Sequence, residues 1–237
     1  MQLITTLPTL GRWRTAPSID TLRSLYDSSA HHWHDNLARL GQLQDYQQLF
    51  ETQAMGNCLS HLEQTNQLDQ TAHILDCGVG TGAFSRALLD NVAQPVHISG
   101  VDISPAMLIH ARQHLNRHCT GLDLRQGDIR ALPFAANTFD ALLAAHVLEY
   151  MDDLEAALQG LIRVLKPGCP VIASISQRGP RQAVMSMRWR HQGYRPHQLA
   201  AVFQAVGLER VVTFSYGGHW SKRMCFAAIG IKPASGD

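Results

Sequence analysis

The chain has 237 residues, 45% of them apolar and 16% charged, with a formal net charge of +1. That length holds one α/β domain with an accessory element and excludes two large domains, and that composition excludes disorder as the default. The near-neutral balance gives no electrostatic ground for a nucleic-acid partner.

The opening residues show no basic stretch ahead of a long apolar run, so no signal peptide is expected. No run approaches the roughly eighteen apolar residues that a membrane-crossing helix needs. The five cysteines (Cys58, Cys77, Cys119, Cys169, Cys225) are scattered and never in C-x-x-C spacing. This argues against a disulfide framework and a zinc site, and suits a reducing cytoplasm. Up to about residue 70 the pattern is helical, with no strand signal. Asp20 to Tyr26 and Asn36 to Leu68 supply Leu37, Leu40, Leu43, Leu49, Phe50, Leu59 and Leu62 at helical spacing. Residues 1–70 therefore read as a helical segment and 71–237 as the main domain.

From residue 72, short apolar runs alternate with helical patterns, the signature of βαβ units and a mainly parallel sheet. Strands are expected over 73–77, 96–101, 122–125, 139–144, 171–175, 211–214 and 224–229. The first runs into Gly78-Val79-Gly80-Thr81-Gly82, a glycine turn opening a helix at Ala83. Glycines there let the backbone turn tightly and approach a ligand without a Cβ in the way. The same residues satisfy a dinucleotide-binding pattern, with Asp102 twenty residues past Gly82, so an NAD-dependent oxidoreductase stays open at this point. Ser104-Pro105 reads as an N-cap with proline at the first helical position, and Asp152-x-x-Glu155 as a capping box ahead of Leu154, Leu158, Leu161, Ile162 and Leu165. Only the loop 215–223 separates the last two strands, which permits an antiparallel pair and no parallel crossover.

Taken together, Ile74 to Gly82, Gly100 to Leu108, Gly127-Asp128-Ile129-Arg130-Ala131-Leu132-Pro133-Phe134, Phe139 to Leu142, Val147-Leu148-Glu149-Tyr150 and Leu165-Lys166-Pro167-Gly168 closely resemble the motifs of class I S-adenosylmethionine-dependent methyltransferases. The resemblance is to the subgroup that includes ubiquinone and menaquinone biosynthesis enzymes and many small-molecule and lipid methyltransferases, and it spans about residues 72 to 176. It implies a Rossmann-like, seven-stranded, mostly parallel sheet with an antiparallel last strand pair, and S-adenosyl-L-methionine as cofactor. It also implies roles: Asp76 near the methionine amino group, Gly78, Gly80 and Gly82 in the cofactor turn, and Asp102 on the ribose diol. Ile103 and Met107 would flank the adenine, Asp128 and the Ile129 backbone would meet its amine, and Ala145 would lie beside the methyl donor. Cys169-Pro170 departs from the family, which usually has a second glycine there, in a turn away from the cofactor.

The acceptor is less legible. His146 follows the fourth strand, where the family points residues at the methyl donor, and it is a candidate catalytic residue beside Tyr26. The segment Tyr26-Asp27-Ser28-Ser29-Ala30-His31-His32-Trp33 is similar to a family stretch covering the methionine end of the cofactor. Tyr26 and Trp33 are thus candidates for lining the acceptor pocket, and residues 1–70 for acting as a lid. His31, His32 and His34 cluster, but adjacent rings on a helix diverge, so no metal is expected. The segment 178–195 carries Arg178, Arg181, Arg188, Arg190 and Arg195 with no acid, interleaved with Met185, Met187, Trp189 and Tyr194. Arg188 and Arg190 are candidates for holding an acceptor with an anionic part. A binder of S-adenosylmethionine without turnover remains the alternative, because class I enzymes share no universal catalytic residue.

Overall fold

A computed structural model describes residues 17–65, 71–180, 191–218 and 224–234. Arg188 and Arg190 lie outside these described residues. Three helices come first: α1 (Ile19–Arg39), α2 (Gln42–Phe50) and α3 (Gln53–Thr65). Ser18 caps α1, its hydroxyl accepting from Thr21 N at 3.3 Å. The helix expected from Asp20 runs on to Arg39, and the one expected from Asn36 is divided. Gly41, at φ 73°, makes the first break, since a left-handed residue cannot continue an α-helix.

The sheet is built from β1 (Ala72–Cys77), β2 (Val96–Asp102), β3 (Gly121–Gln126), β4 (Ala141–Ala145), β5 (Pro170–Ser176), β6 (Glu209–Phe214) and β7 (Cys225–Ile231). Their order is β3-β2-β1-β4-β5-β7-β6. The first five strands pair in parallel, and β7 runs antiparallel to both β5 and β6. The carboxyl ends of β1, β2, β4 and β5 and the start of β7 therefore meet on one edge, where an open α/β sheet binds its ligands.

Helices α4 (Ala83–Leu89), α5 (Pro105–Leu115), α6 (Leu154–Val164) and α7 (Pro196–Ala205) complete the layers. Alternate strand residues feed two cores. Leu75 and Cys77 pack with Leu158 of α6 and Phe203 of α7, while Ala72 and Ile74 pack with Phe84 and Leu88 of α4. The second core also takes Tyr46, Leu49 and Phe50 from α2 and Met55 from α3. Ser104 caps α5 as its sequence predicts, accepting from Met107 N at 3.1 Å. At α6 the cap is Asp153 and not Asp152: the helix starts at Leu154, and Asp153 takes the extended conformation that lets its carboxylate accept from Ala156 N at 3.0 Å. Phe139 falls short of β4 and forms an isolated bridge with Leu165.

A carboxylate on α1 meets the start of α5. Asp27 Oδ1 accepts from Ser104 Oγ at 2.5 Å and from Ala106 N at 3.3 Å, placing a carboxylate at the positive end of α5. Among the described residues, no helix is long and apolar enough to cross a membrane.

Candidate active site

A cleft of about 630 Å³ opens between α1, α2 and the carboxyl edge of the sheet. Its donor end is the turn after β1. Gly78 and Gly80 adopt left-handed φ values of 78° and 52° and line the cleft. A Cβ on Gly78 would meet Val147 at 2.7 Å, so packing against the turn after β4 requires that glycine, whereas Gly80 faces open space. Gly82 serves another purpose: its absent Cβ leaves room for Leu115, which a Cβ would meet at 2.8 Å, and it stays off the cleft wall.

Two carboxylates sit under this turn. Asp102 Oδ2 accepts from Gly80 N at 2.8 Å and Oδ1 from Ser104 N at 2.9 Å, holding turn and strand end together. Each oxygen keeps a second lone pair for a ligand hydroxyl. Burial raises the Asp102 pKa to about 6, opposed by those backbone donors. Asp76 is wholly buried and accepts from Ser85 Oγ at 2.6 Å through Oδ2. Its Oδ1 has no partner, and neither has the buried Thr81 Oγ1. Burial drives the Asp76 pKa to about 7. A buried oxygen without a donor is costly, and a cationic N–H ligand would satisfy it. The buried carboxylate of Asp76 behind the turn would repel a pyrophosphate, so the turn suits an ammonium and a diol better.

Ile103, Met107 and Ile129 line the adjoining wall. Asp128 lies there too, but its carboxylate caps the 3-10 turn Ile129–Ala131 and takes the Arg130 guanidinium at 2.8 Å. Arg130 thus joins Asp128 and Ile129 on this wall.

The opposite end of the cleft is polar and buried. Ala145 ends β4, and His146 follows in a left-handed conformation, φ 54°. That rarely populated geometry turns the ring into the cleft. His146 Nδ1 lies 3.0 Å from Glu149 Oε1, which also accepts from Ser176 N at 2.7 Å. Glu149 is 1% exposed, and its Oε2 has no partner. Burial alone would lower the His146 pKa, but the Cys225 sulfur and the Glu149 carboxylate outweigh it and hold it above the ordinary histidine value. Burial works against ionised Glu149 as well, and the His146 pairing still holds its pKa below the usual carboxylate range. On the far side of the ring, Nε2 meets Gln42 Nε2 at 2.9 Å and Ser174 Oγ at 3.2 Å.

Tyr26 and Trp33 both line the cleft, their rings 5.4 Å apart and edge to face. Tyr26 shares a 2.7 Å hydroxyl–hydroxyl hydrogen bond with Tyr150. Burial and the Tyr150 hydroxyl push its pKa well up, which makes it a neutral hydrogen-bonding group and a poor base. His191 lines the same end, its ring against Tyr150. Arg178 and Arg195 are exposed and off the cleft wall. Among the described residues no group of histidine, cysteine or acidic side chains could hold a metal; His34 instead stacks on His114 at 4.2 Å.

Sequence reasoning missed Gln42, Tyr46, Ser174 and Cys225, and gave Glu149 no role. Only Glu149 carried a signal, three residues after His146. The others reach the site through long-range contacts.

Residues 75–173 match the family model described as a methyltransferase domain. That stretch of the chain is a methyltransferase domain, similar to those of class I S-adenosylmethionine-dependent methyltransferases. It is 37% identical over 102 residues to a demethylmenaquinone methyltransferase of Desulfitobacterium hafniense, covering 42% of this chain and 40% of that protein. A malonyl-[acyl-carrier protein] O-methyltransferase of Enterobacter lignolyticus is 30% identical over 159 residues, or 61% of this chain and 60% of that one. The chain thus spans about half the length of the curated relatives it matches. In fold, this methyltransferase domain is similar to magnesium protoporphyrin IX methyltransferase from Synechocystis, solved with bound SAH. The TM-score is 0.66 at 14% identity, over 91% of this chain and 100% of that one. A Haloferax volcanii putative methyltransferase, solved in complex with the Trm112 activator, gives a TM-score of 0.67 at 18% identity, over 91% and 99%.

Proposed function

We propose that the protein transfers a methyl group from S-adenosylmethionine to a small-molecule acceptor bound between α1, α2 and the ends of β4 and β5. The observation that carries this reading is a single cleft whose glycine turn, with Asp102 on its wall and the unpartnered Asp76 oxygen buried behind it, faces a carboxylate-oriented imidazole. S-adenosylmethionine supplies an electrophilic methyl on a sulfonium, so the protein's work is in-line positioning and removal of a proton from the acceptor. Asp76 and Thr81 would hold the ammonium, Asp102 the ribose hydroxyls, and Ile103, Met107, Asp128 and the Ile129 backbone the adenine. Ala145 would sit beside the methyl. His146 is the proton acceptor and Glu149 orients it, while Tyr26 and Trp33 line the acceptor pocket.

The helices of residues 1–70 act as the lid, since they supply one wall of the cleft and a methyl transfer gains from excluded water. Arg188 and Arg190 would read an anionic part of the acceptor. Free cysteines among the described residues suit a reducing cytoplasm. Calorimetry with S-adenosylhomocysteine and NAD tests the donor end: the first binds and the second does not. Isotopically labelled donor, incubated with a metabolite extract, tests the acceptor end. A methylated product that His146→Gln forms as fast as the parent protein would remove His146 from the reaction.

A further inference from the structure

The ring of His146 is oriented from two sides, and only one of them is obvious. Glu149 Oε1 faces Nδ1 at 3.0 Å. An ionised carboxylate only accepts, so Nδ1 must carry a proton. The other nitrogen faces Gln42, whose amide nitrogen lies 2.9 Å from His146 Nε2 and 3.0 Å from the Tyr46 hydroxyl. An amide nitrogen only donates, so at this distance the His146 Nε2 must be a lone pair. Ser174 Oγ, 3.2 Å away, is itself 2.5 Å from the Tyr216 hydroxyl and can donate to the same lone pair. The tautomer with its proton on Nδ1 satisfies every one of these contacts.

An imidazolium does not, because its Nε2–H would point at the Gln42 N–H. Gln42 therefore opposes the effect of Glu149. The remaining titratable groups around the ring are His191 before α7, Tyr46 on α2 and Cys225 on β7, whose sulfur stands 3.9 Å from Nε2.

We propose that Gln42 is a positioning residue that holds the Nε2 lone pair of His146 ready before the acceptor arrives and then gives up its place to the acceptor's own proton donor. Gln42 is the first residue of α2, directly after the left-handed Gly41, so it belongs to the N-terminal helices and reaches the base across the cleft. With the Gln42 amide in place the lone pair is favoured; without it, Glu149 and Cys225 act on the ring against Ser174 alone, and the imidazolium is favoured. An acceptor N–H or O–H that replaces the amide keeps the same tautomer, and its proton then passes to Nε2. This inference rests on His146 being the proton acceptor of the proposed reaction.

The test is a histidine-selective 13C NMR titration of the full chain, with and without S-adenosylhomocysteine, His146 being assigned by the signal missing in His146→Gln. Gln42→Met keeps the packing and removes the donor. Gln42→Glu puts an acceptor in its place. In the parent protein the unprotonated His146 ring, seen at the alkaline end of the titration, should be the Nδ1–H tautomer. Gln42→Met should bind the His146 proton about three- to tenfold more tightly, the change expected from losing one neutral hydrogen bond to the unprotonated ring. Gln42→Glu should bind it more tightly still. An Nε2–H tautomer in the parent, or proton affinity unchanged or lower in both variants, overturns the role of Gln42. The titration needs no turnover and no bound cofactor, so its failure is distinct from failure of the methyltransferase reading, which the labelled-donor experiment decides.

Discussion

Asp76 is a carboxylate placed where water cannot reach it, and its behaviour with pH is the sharpest residue-scale consequence. Its folded pKa of about 7 lies above the unfolded value, so the protonated form favours folding. The resulting stability is present at low pH and is lost as pH rises through about 7. Asp76→Asn should therefore melt at a higher temperature than the parent at pH 8, with the gain vanishing near pH 4 in a scanning-calorimetry series. An ammonium ligand acts oppositely, by drawing Asp76 into its ionised form. Binding of S-adenosylhomocysteine should release a proton near pH 7 and tighten as pH rises from 6 to 8. Calorimetry in buffers of different ionisation enthalpy reads that proton directly. At the other end of the cleft, the acid limb of kcat/KM should lie above the ordinary histidine pKa of about 6.5, because Cys225 and Glu149 raise that of His146. Glu149→Gln should move the limb to lower pH, and a limb that stays put would detach Glu149 from the base.

At the scale of elements, α1 is anchored to the start of α5 by Asp27 against Ser104 and Ala106. Losing a carboxylate at a helix N-terminus typically costs about 0.5–2 kcal/mol. Asp27→Ala should lower the melting temperature and also weaken S-adenosylhomocysteine, because Ser104 N supports Asp102. A variant that melts earlier yet binds as tightly would separate the anchor from the cofactor pocket. The strand–glycine–helix unit, the Ser104 cap and the antiparallel final pair were legible in sequence because each depends on near neighbours. The first split of the N-terminal helices rests on Gly41, a residue that sequence reading passes over. The base was legible as His146 and not as a pair, because the three-residue spacing to Glu149 does not show the left-handed turn at His146 that brings the two together. Gln42 was invisible: 104 residues separate it from His146, and only the packing of α2 on α4 brings them together.

The whole molecule should unfold as one unit. Tyr46, Leu49, Phe50 and Met55 share a core with Ile74, Phe84 and Leu88, so the N-terminal helices cannot leave without exposing apolar surface on the sheet layer. A single calorimetric transition is expected, and a separate early transition would show the helices to be an independent body. At about a hundredfold excess over its dissociation constant, S-adenosylhomocysteine should add about 2.7 kcal/mol of stability and raise that transition by several degrees. The shared core has a further consequence, for the order in which the chain is made. Synthesis runs from the amino end, so α2 and α3 leave the exit tunnel before β1 and α4 do. Leu49, Phe50 and Met55 then wait without partners until residues 74 to 88 have emerged. During that interval the newborn segment is an amphipathic client for any chaperone at the exit tunnel. A pause that leaves α2 and α3 outside the tunnel with β1 and α4 still inside it should cause more aggregation than one placed after both have emerged.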